Sequence, residues 1–206
     1  MELRSIWHWA KSRSANRFVY DDLDLIGPGA DKLTIDGDNQ NRQFVFQANE
    51  DIGLTFLIQG LRLTGGKSPS SGGAIYALRN RLVVRDCHFE GNQSPQAAGA
   101  IFANNMTAHV LHSSFVDNEA AGNGGAIGGF NASLELVGIT ASGDQSGQHG
   151  GAVHSRITDG NVVRLTTIEG STFVGNFAPI GADFVIRPNA GLDGNAETDG
   201  FPQSMP

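Results

Sequence analysis

The sequence predicts an all-β solenoid, a single-stranded parallel β-helix of about six to seven coils, because two short motifs recur in phase at a fixed spacing. The first motif is of the Gly-Gly-Ala-Ile type, and its four copies begin at equal intervals, at Gly72, Ala98, Gly124 and Gly150. The second is of the Phe-x-Gly-Asn type, with copies that begin at Phe89, Phe115, Ala141 and Phe173. A period of about 26 residues is typical of solenoids, so the repeat outweighs local propensity in deciding the architecture.

The spacing of the second motif also locates an insertion. Its first two intervals equal the interval of the glycine motif, whereas the interval from Ala141 to Phe173 is longer. Six extra residues therefore lie between Val153 and Phe173, and residues 155–161 are expected to contain part of them.

Within one repeat, short segments of alternating apolar residues are separated by turns, which predicts three strands of about three to five residues per coil. Strands this short are poorly suited to hairpins but can pair with the equivalent strands of the next repeat. Stacking the repeats in register gives three apolar columns: Ile75, Ile101, Ile127 and Val153; Leu82, Ala108, Leu134 and Thr166; and Val84, Val110, Leu136 and Ile168.

Both motifs are interpreted as corners of the coil. The glycine motif, which includes Gly73, Gly99, Gly125 and Gly151, is expected to supply positive φ and a close approach between the backbones of neighbouring coils. The other corner carries Asn92, Asn118 and Asn176, with Asp144 in the same register. These residues are expected to adopt a left-handed turn conformation and to stack as a ladder.

The chain divides into three predicted segments. Residues 1–17 are an N-terminal cap segment, in which apolar residues at helical spacing between Leu3 and Ala10 predict a short amphipathic helix over residues 2–13. Residues 18–186 form the β-helix, and its first coils, before Gly53, are expected to be shorter than the later ones. Residues 187–206, with three prolines and few apolar residues, are expected to be irregular.

Composition excludes several classes of partner. A formal net charge of -7 with few lysines is poorly suited to binding the phosphates of nucleic acid, so no nucleic-acid partner is predicted. No apolar run is long enough to cross a bilayer, so the chain is not expected to span a membrane. The lone Cys87 cannot form an internal disulfide, and its place in the repeat predicts a small buried residue rather than a nucleophile.

The paired motifs resemble the repeats of chlamydial polymorphic outer-membrane proteins and of bacterial surface proteins with right-handed parallel β-helix passengers. The segment Leu23–Gly37 is similar to the lead-in that precedes such repeats, and the resemblance covers about residues 19–186. It implies a right-handed helix, secretion or display on a bacterial cell surface, and adhesion or carbohydrate contact. Residues 1–18 do not read as a signal peptide, so the export route is not visible in this chain.

Few residues are candidates for chemistry. Register places Asp86 above His112 with Arg85 beside it. These three residues are the most similar in this sequence to the carboxylate and base of a polysaccharide lyase. A solvated corner is the alternative interpretation. Candidate binding residues are the outward aromatic pair Tyr76 and Phe102, together with His154, Arg156 and Asp159, which are expected to form a protruding loop at the insertion.

No metal or cofactor is predicted, because the histidines lack metal-ligand spacing and the calcium-binding nonapeptide is absent from the sequence. The leading hypothesis is a non-catalytic secreted or surface module that contacts glycans or proteins through its sheets. A carbohydrate-active enzyme on the same fold and a purely structural solenoid segment are the alternatives. The sequence leaves the oligomeric state open.

Overall fold

The computed structural model describes residues 22–47, 53–159, 163–187 and 198–199. Within these ranges all regular structure is β-strand, and no helix is present that could cross a membrane. The helix predicted over residues 2–13 lies outside the described residues.

Four sheets account for all the strands in these ranges. Sheet A contains β1 (Leu23–Ile26), β4 (Thr55–Gln59), β7 (Arg81–Arg85), β11 (Thr107–Leu111), β15 (Ser133–Val137) and β19 (Thr166–Glu169). Sheet B contains β2 (Thr34–Asp36), β5 (Arg62–Thr64), β8 (His88–Glu90), β12 (Ser114–Val116), β16 (Thr140–Ser142) and β20 (Thr172–Val174). Sheet C contains β3 (Phe44–Gln47), β6 (Ile75–Leu78), β10 (Ile101–Asn104), β14 (Ile127–Phe130), β18 (Val153–Arg156), β21 (Phe184–Arg187) and β22 (Thr198–Asp199). Sheet D contains β9 (Gln93–Ser94), β13 (Glu119–Ala120) and β17 (Gln145–Ser146).

The chain winds through these sheets in a repeating order, which confirms the predicted parallel β-helix. Each coil passes through a strand of sheet A, then sheet B, then, in the middle coils, sheet D, and then sheet C. Strands pair in parallel with their equivalents one coil away, and the three predicted apolar columns hold along their length. The described residues complete six coils, one for each strand of sheet A.

The first coil is longer than the regular coils, so the prediction of shorter initial coils was wrong. Leu23 pairs with Phe56, whereas Phe56 pairs with Leu82 at the regular period, so the first coil is the longer by seven positions. The first coil lacks both repeat motifs, so the sequence offered no register from which to measure it. The insertion lies after β18, because Leu134 pairs with Thr166 at more than the regular period while β18 keeps its regular register with β14.

The core runs as continuous columns inside the coil. Phe89 and Phe115 are fully buried and stack with ring centroids 5.0 Å apart and planes 4° apart. Ala141 continues this column, and Phe173 follows it in the last coil. The register that aligns the coils therefore also aligns their largest side chains.

Two adjacent positions of the glycine motif have different structural roles. The first position has positive φ in every copy, including 60° at Ala98, so it makes the corner. The second position is where the coils touch, because a Cβ on Gly125 would lie 2.0 Å from the carbonyl oxygen of Gly151. The same contact recurs at Gly73 and Gly99, so glycine is required there by the distance between coils.

The asparagine corner forms the predicted buried ladder, with one correction. Asn92 Nδ2 donates to Asn118 Oδ1 at 2.9 Å, and Asn118 Nδ2 donates to Asp144 Oδ1 at 2.9 Å. The left-handed conformation belongs to the preceding residue, such as Gly91 with φ 61°, and not to the asparagine. This division leaves the amide side chain free to point inward, where it satisfies backbone groups that the turn leaves unpaired.

Candidate functional site

Sheet B has a polar outer face, because its inward positions are apolar while nearly all its outward positions are polar. The alternation follows from the two-residue period of a strand, with Phe89 and Phe115 pointing inward. We call the outward positions the sheet B face. They form two columns: Thr34, Arg62, His88, Ser114, Thr140 and Thr172; and Asp36, Thr64, Glu90, Val116, Ser142 and Val174.

Four of these side chains form one hydrogen-bonded network. Arg62 forms an ion pair with Glu90, and His88 Nε2 lies 3.4 Å from the same carboxylate. His88 Nδ1 lies 2.6 Å from Ser114 Oγ, which extends the network to the next coil. The hydrogen bond from Arg62 holds the pKa of Glu90 below its usual value, and His88 acts in the same direction.

The network remains open to a ligand. The side chains of Arg62 and Glu90 are each 39% exposed, so part of their hydrogen-bonding capacity faces solvent. Their positions are fixed by strands that pair on both sides. Donors and acceptors held in this way lose little conformational entropy when a ligand binds.

Sequence reasoning missed this network, although a signal for it was present. Arg62, His88 and Ser114 are separated by the repeat period and therefore share a column, and Glu90 lies beside them. Opposite charges in adjacent columns of neighbouring coils predict an ion pair as directly as the apolar columns predict the core.

The candidate catalytic residues occupy the corner between sheets A and B, but they do not form a joined cluster. Asp86 and His112 both have positive φ and are exposed. The carboxylate of Asp86 accepts from Gln59 Nε2 at 3.5 Å, one coil back. The ring of His112 lies over Gly138, one coil forward, where a Cβ would be 2.7 Å from Nδ1. Arg85 lies on the outer face of sheet A.

The predicted aromatic pair is present, but the ring faces are already covered. Tyr76 and Phe102 stack with centroids 5.7 Å apart on the outside of sheet C. The guanidinium of Arg42 lies 5.2 Å from the Tyr76 ring centre and donates to Gly72 O at 2.7 Å. Phe102 packs against Gly128 on its other side. A sugar could reach the edges of these rings, whereas stacking on a ring face would require Arg42 to move.

His154 lies in a strand rather than in the protruding loop that we expected. It belongs to β18 and is only 7% exposed, in the same column as Phe102 and Gly128. Burial, together with the nearby His149 and two arginines, lowers the pKa of His154 to about 4. The ring of His149 lies 5.9 Å away.

The two other predicted loop residues lie at the start of the insertion. Arg156 ends β18 and is exposed. The backbone N–H of Asp159 donates to Asn131 Oδ1 at 3.2 Å, and Thr158 donates to the same oxygen. Asn131 therefore anchors the first part of the insertion to the coil before it.

Cys87 is buried, as predicted. Its Sγ lies 3.2 Å from the carbonyl oxygen of Arg85, and burial raises the pKa of the thiol to about 11. Within the described ranges, histidine, cysteine and acidic side chains nowhere gather in a group of three or more that could hold a metal ion.

No family model matches the chain, and neither a curated protein nor a solved structure shows significant similarity to it. A function for this chain is therefore inferred from the geometry of its outer faces, together with the resemblance of its repeats.

Proposed function

We propose that this chain is a non-catalytic β-helix module, secreted or displayed on a cell surface, whose sheet B face binds a glycan. The observation that carries the proposal is the network of Arg62, His88, Glu90 and Ser114 on that face. The resemblance of the repeats to bacterial surface proteins supports the same location and the same class of activity.

The repeat of the sheet B face suits an extended polar ligand. Each column places a polar side chain at almost every coil, and neighbouring coils are about 4.8 Å apart. A chain of linked sugars presents hydroxyl groups along its length, and each hydroxyl both donates and accepts hydrogen bonds. Arg62 can only donate and Glu90 only accept, so together they can bind both functions of a hydroxyl.

A binding screen with variants tests the proposal. The purified full chain is applied to an array of neutral and acidic glycans, and affinity for any hit is measured by calorimetry. We expect Arg62→Ala and Glu90→Gln each to weaken binding about tenfold, as expected for a charge-assisted hydrogen bond. The matched control, Arg81→Ala on sheet A, should leave the affinity unchanged.

Two results would overturn the proposal. One is glycan binding that the sheet B variants leave intact, or binding only to proteins. The other is catalysis: incubation with pectin, alginate or glycosaminoglycans that produces the ultraviolet absorbance of unsaturated uronates, lost in the Arg85→Ala variant. That second outcome would favour the lyase hypothesis at the Asp86 and His112 corner.

A further inference from the structure

Sheet A has a different outer face from sheet B, with apolar residues between separated charges. We call its outward positions the sheet A face. They form three columns: Thr55, Arg81, Thr107 and Ser133; Asp24, Leu57, Val83, His109, Glu135 and Thr167; and Ile26, Gln59, Arg85, Leu111, Val137 and Glu169.

The charges on the sheet A face are segregated along the rod. The third coil carries two exposed arginines, Arg81 and Arg85, on either side of the half-buried Val83. The fifth coil carries Glu135 in the same column as Val83, with its side chain 48% exposed. The fourth coil lies between them, with Leu111 and His109 on the outside, and His109 Nδ1 lies 2.5 Å from the Glu135 carboxylate.

We propose that the sheet A face binds the same face of a second copy of this chain in a two-fold symmetric, face-to-face dimer. The axis runs along the strands at the fourth coil, so the third coil of one copy faces the fifth coil of the other. Glu135 of one copy then lies opposite Val83 of the other, between Arg81 and Arg85. By symmetry the same contact forms twice. His109 faces its own equivalent at the centre, and Leu111 faces its own at the end of the strand.

The charges favour this arrangement over a dimer whose two-fold axis runs along the rod. A two-fold axis along the rod would keep each coil opposite itself and reverse the strand direction. Arg81 of one copy would then face Arg85 of the other, which places like charges together. In the proposed arrangement, each arginine is displaced from Glu135 by two residues along the strand, about 7 Å, which the long side chains can span.

The size of the face predicts a weak dimer. Strands of five residues and five facing coils cover roughly 17 by 24 Å, or about 400 Å² on each partner. Stable interfaces bury about twice that area per partner. We therefore expect a dissociation constant in the micromolar range or weaker, which is suited to a molecule displayed at high local density.

Sedimentation equilibrium of the full chain at pH 8, from about 10 to 500 μM, tests the dimer. We expect Arg85→Glu and Glu135→Arg each to raise the dissociation constant at least tenfold, because each reversal places like charges together at both symmetric contacts. An equimolar mixture of the two variants should associate more tightly than either variant alone, because the mixed dimer keeps one contact unchanged and the two reversed charges complement each other at the other. Arg156→Glu, a reversal on sheet C, is the matched control.

A chain that stays monomeric throughout this range would overturn the proposal. So would a dimer that both reversals leave unchanged, or a mixture that associates no more tightly than either variant alone. The four residues of the sheet B network are not in this interface, so the outcome is independent of the glycan proposal. Circular dichroism spectra of both variants establish that a lost dimer does not reflect a lost fold.

Discussion

Replacing Asp144 by asparagine should stabilise the protein, and the gain should grow with pH. In the ladder, Asn92 and Asn118 each donate Nδ2 both to a backbone carbonyl and to the next rung. Asp144 has no such donor when ionised. Its Oδ2 is fully buried without a hydrogen-bond partner, at the position where an asparagine would place its amide nitrogen.

The repeat identifies what surrounds that oxygen. Asn92 donates to the carbonyl of Leu63 and Asn118 to that of Phe89, each 29 residues earlier. The equivalent group for Asp144 is the carbonyl of Phe115, which can only accept. An ionised Asp144 therefore places two acceptors together, whereas a protonated one donates to the carbonyl.

Burial accordingly raises the pKa of Asp144 from 3.8 to about 7, and the charge of Asp117 adds to the effect. Below pH 3.8 the side chain is protonated in both the folded and the unfolded state, so it costs nothing. As the pH rises toward 7, the unfolded chain ionises first and the free energy of unfolding falls. The change in the pKa of Asp144 from 3.8 to about 7 corresponds to about 4 kcal/mol of stability, fully lost above pH 7.

The free energy of unfolding should be measured by urea denaturation at several pH values from 4 to 8, followed by circular dichroism. At pH 8 the Asp144→Asn variant should exceed the original chain by up to about 4 kcal/mol, or about 8 to 16 °C in melting temperature for a chain of this size. Near pH 4 the difference should be small. Asp117→Asn, which removes an exposed charge next to the ladder, is the control and should have a much smaller effect. A difference that does not change with pH would refute the reasoning.

Three further predictions concern single sites. Gly125→Ala places a methyl group against the carbonyl of Gly151 and should cost several kcal/mol of stability. The methyl group of Gly91→Ala meets nothing within 4 Å, so this variant should cost only the left-handed strain of about 1 to 2 kcal/mol. Thermal melts of the two variants measure the difference. Because burial lowers the pKa of His154 to about 4, this residue should make the original chain less stable as the pH falls from 6.5 to 4. His154→Leu should abolish this contribution, and urea titrations at several pH values measure it. Cys87 should react with a thiol reagent at pH 8 only after denaturation, and rapid reaction of the folded chain would contradict its burial.

The sequence was most informative where the period is intact. One constant spacing was enough to place Val84 on Val110 and Ile75 on Ile101, because one register fixes every column at once. It failed in the first coil, where no motif marks the corner and where Leu23 finds its partner, Phe56, only beyond the regular period. A period cannot be read from a segment that does not repeat.

The candidate site was harder to predict, because sharing a column is not the same as making a contact. Asp86 and His112 occupy equivalent corner positions, yet Asp86 bonds to Gln59 and His112 lies over Gly138. Both side chains are exposed at this corner, where the repeat does not fix the direction in which each one leans along the rod. On a flat strand the direction is fixed by the pleat, which is why Arg62 and Glu90 could have been paired from register alone.

Asp144 and His154 have opposite effects on stability, and the two should cancel over most of the acidic range. Between about pH 4 and 6.5, rising pH ionises Asp144 more readily in the unfolded chain, which lowers the free energy of unfolding. Over the same range, rising pH removes the proton that only the unfolded chain holds on His154. This loss raises the free energy of unfolding by about 3 kcal/mol in total. The original chain should therefore show a nearly flat contribution from this pair. Asp144→Asn should then gain stability as the pH rises, and His154→Leu should lose it. If the free energy of unfolding of the original chain changes with pH as steeply as that of either variant, the two groups do not oppose each other. At least one of the two buried environments is then not as described.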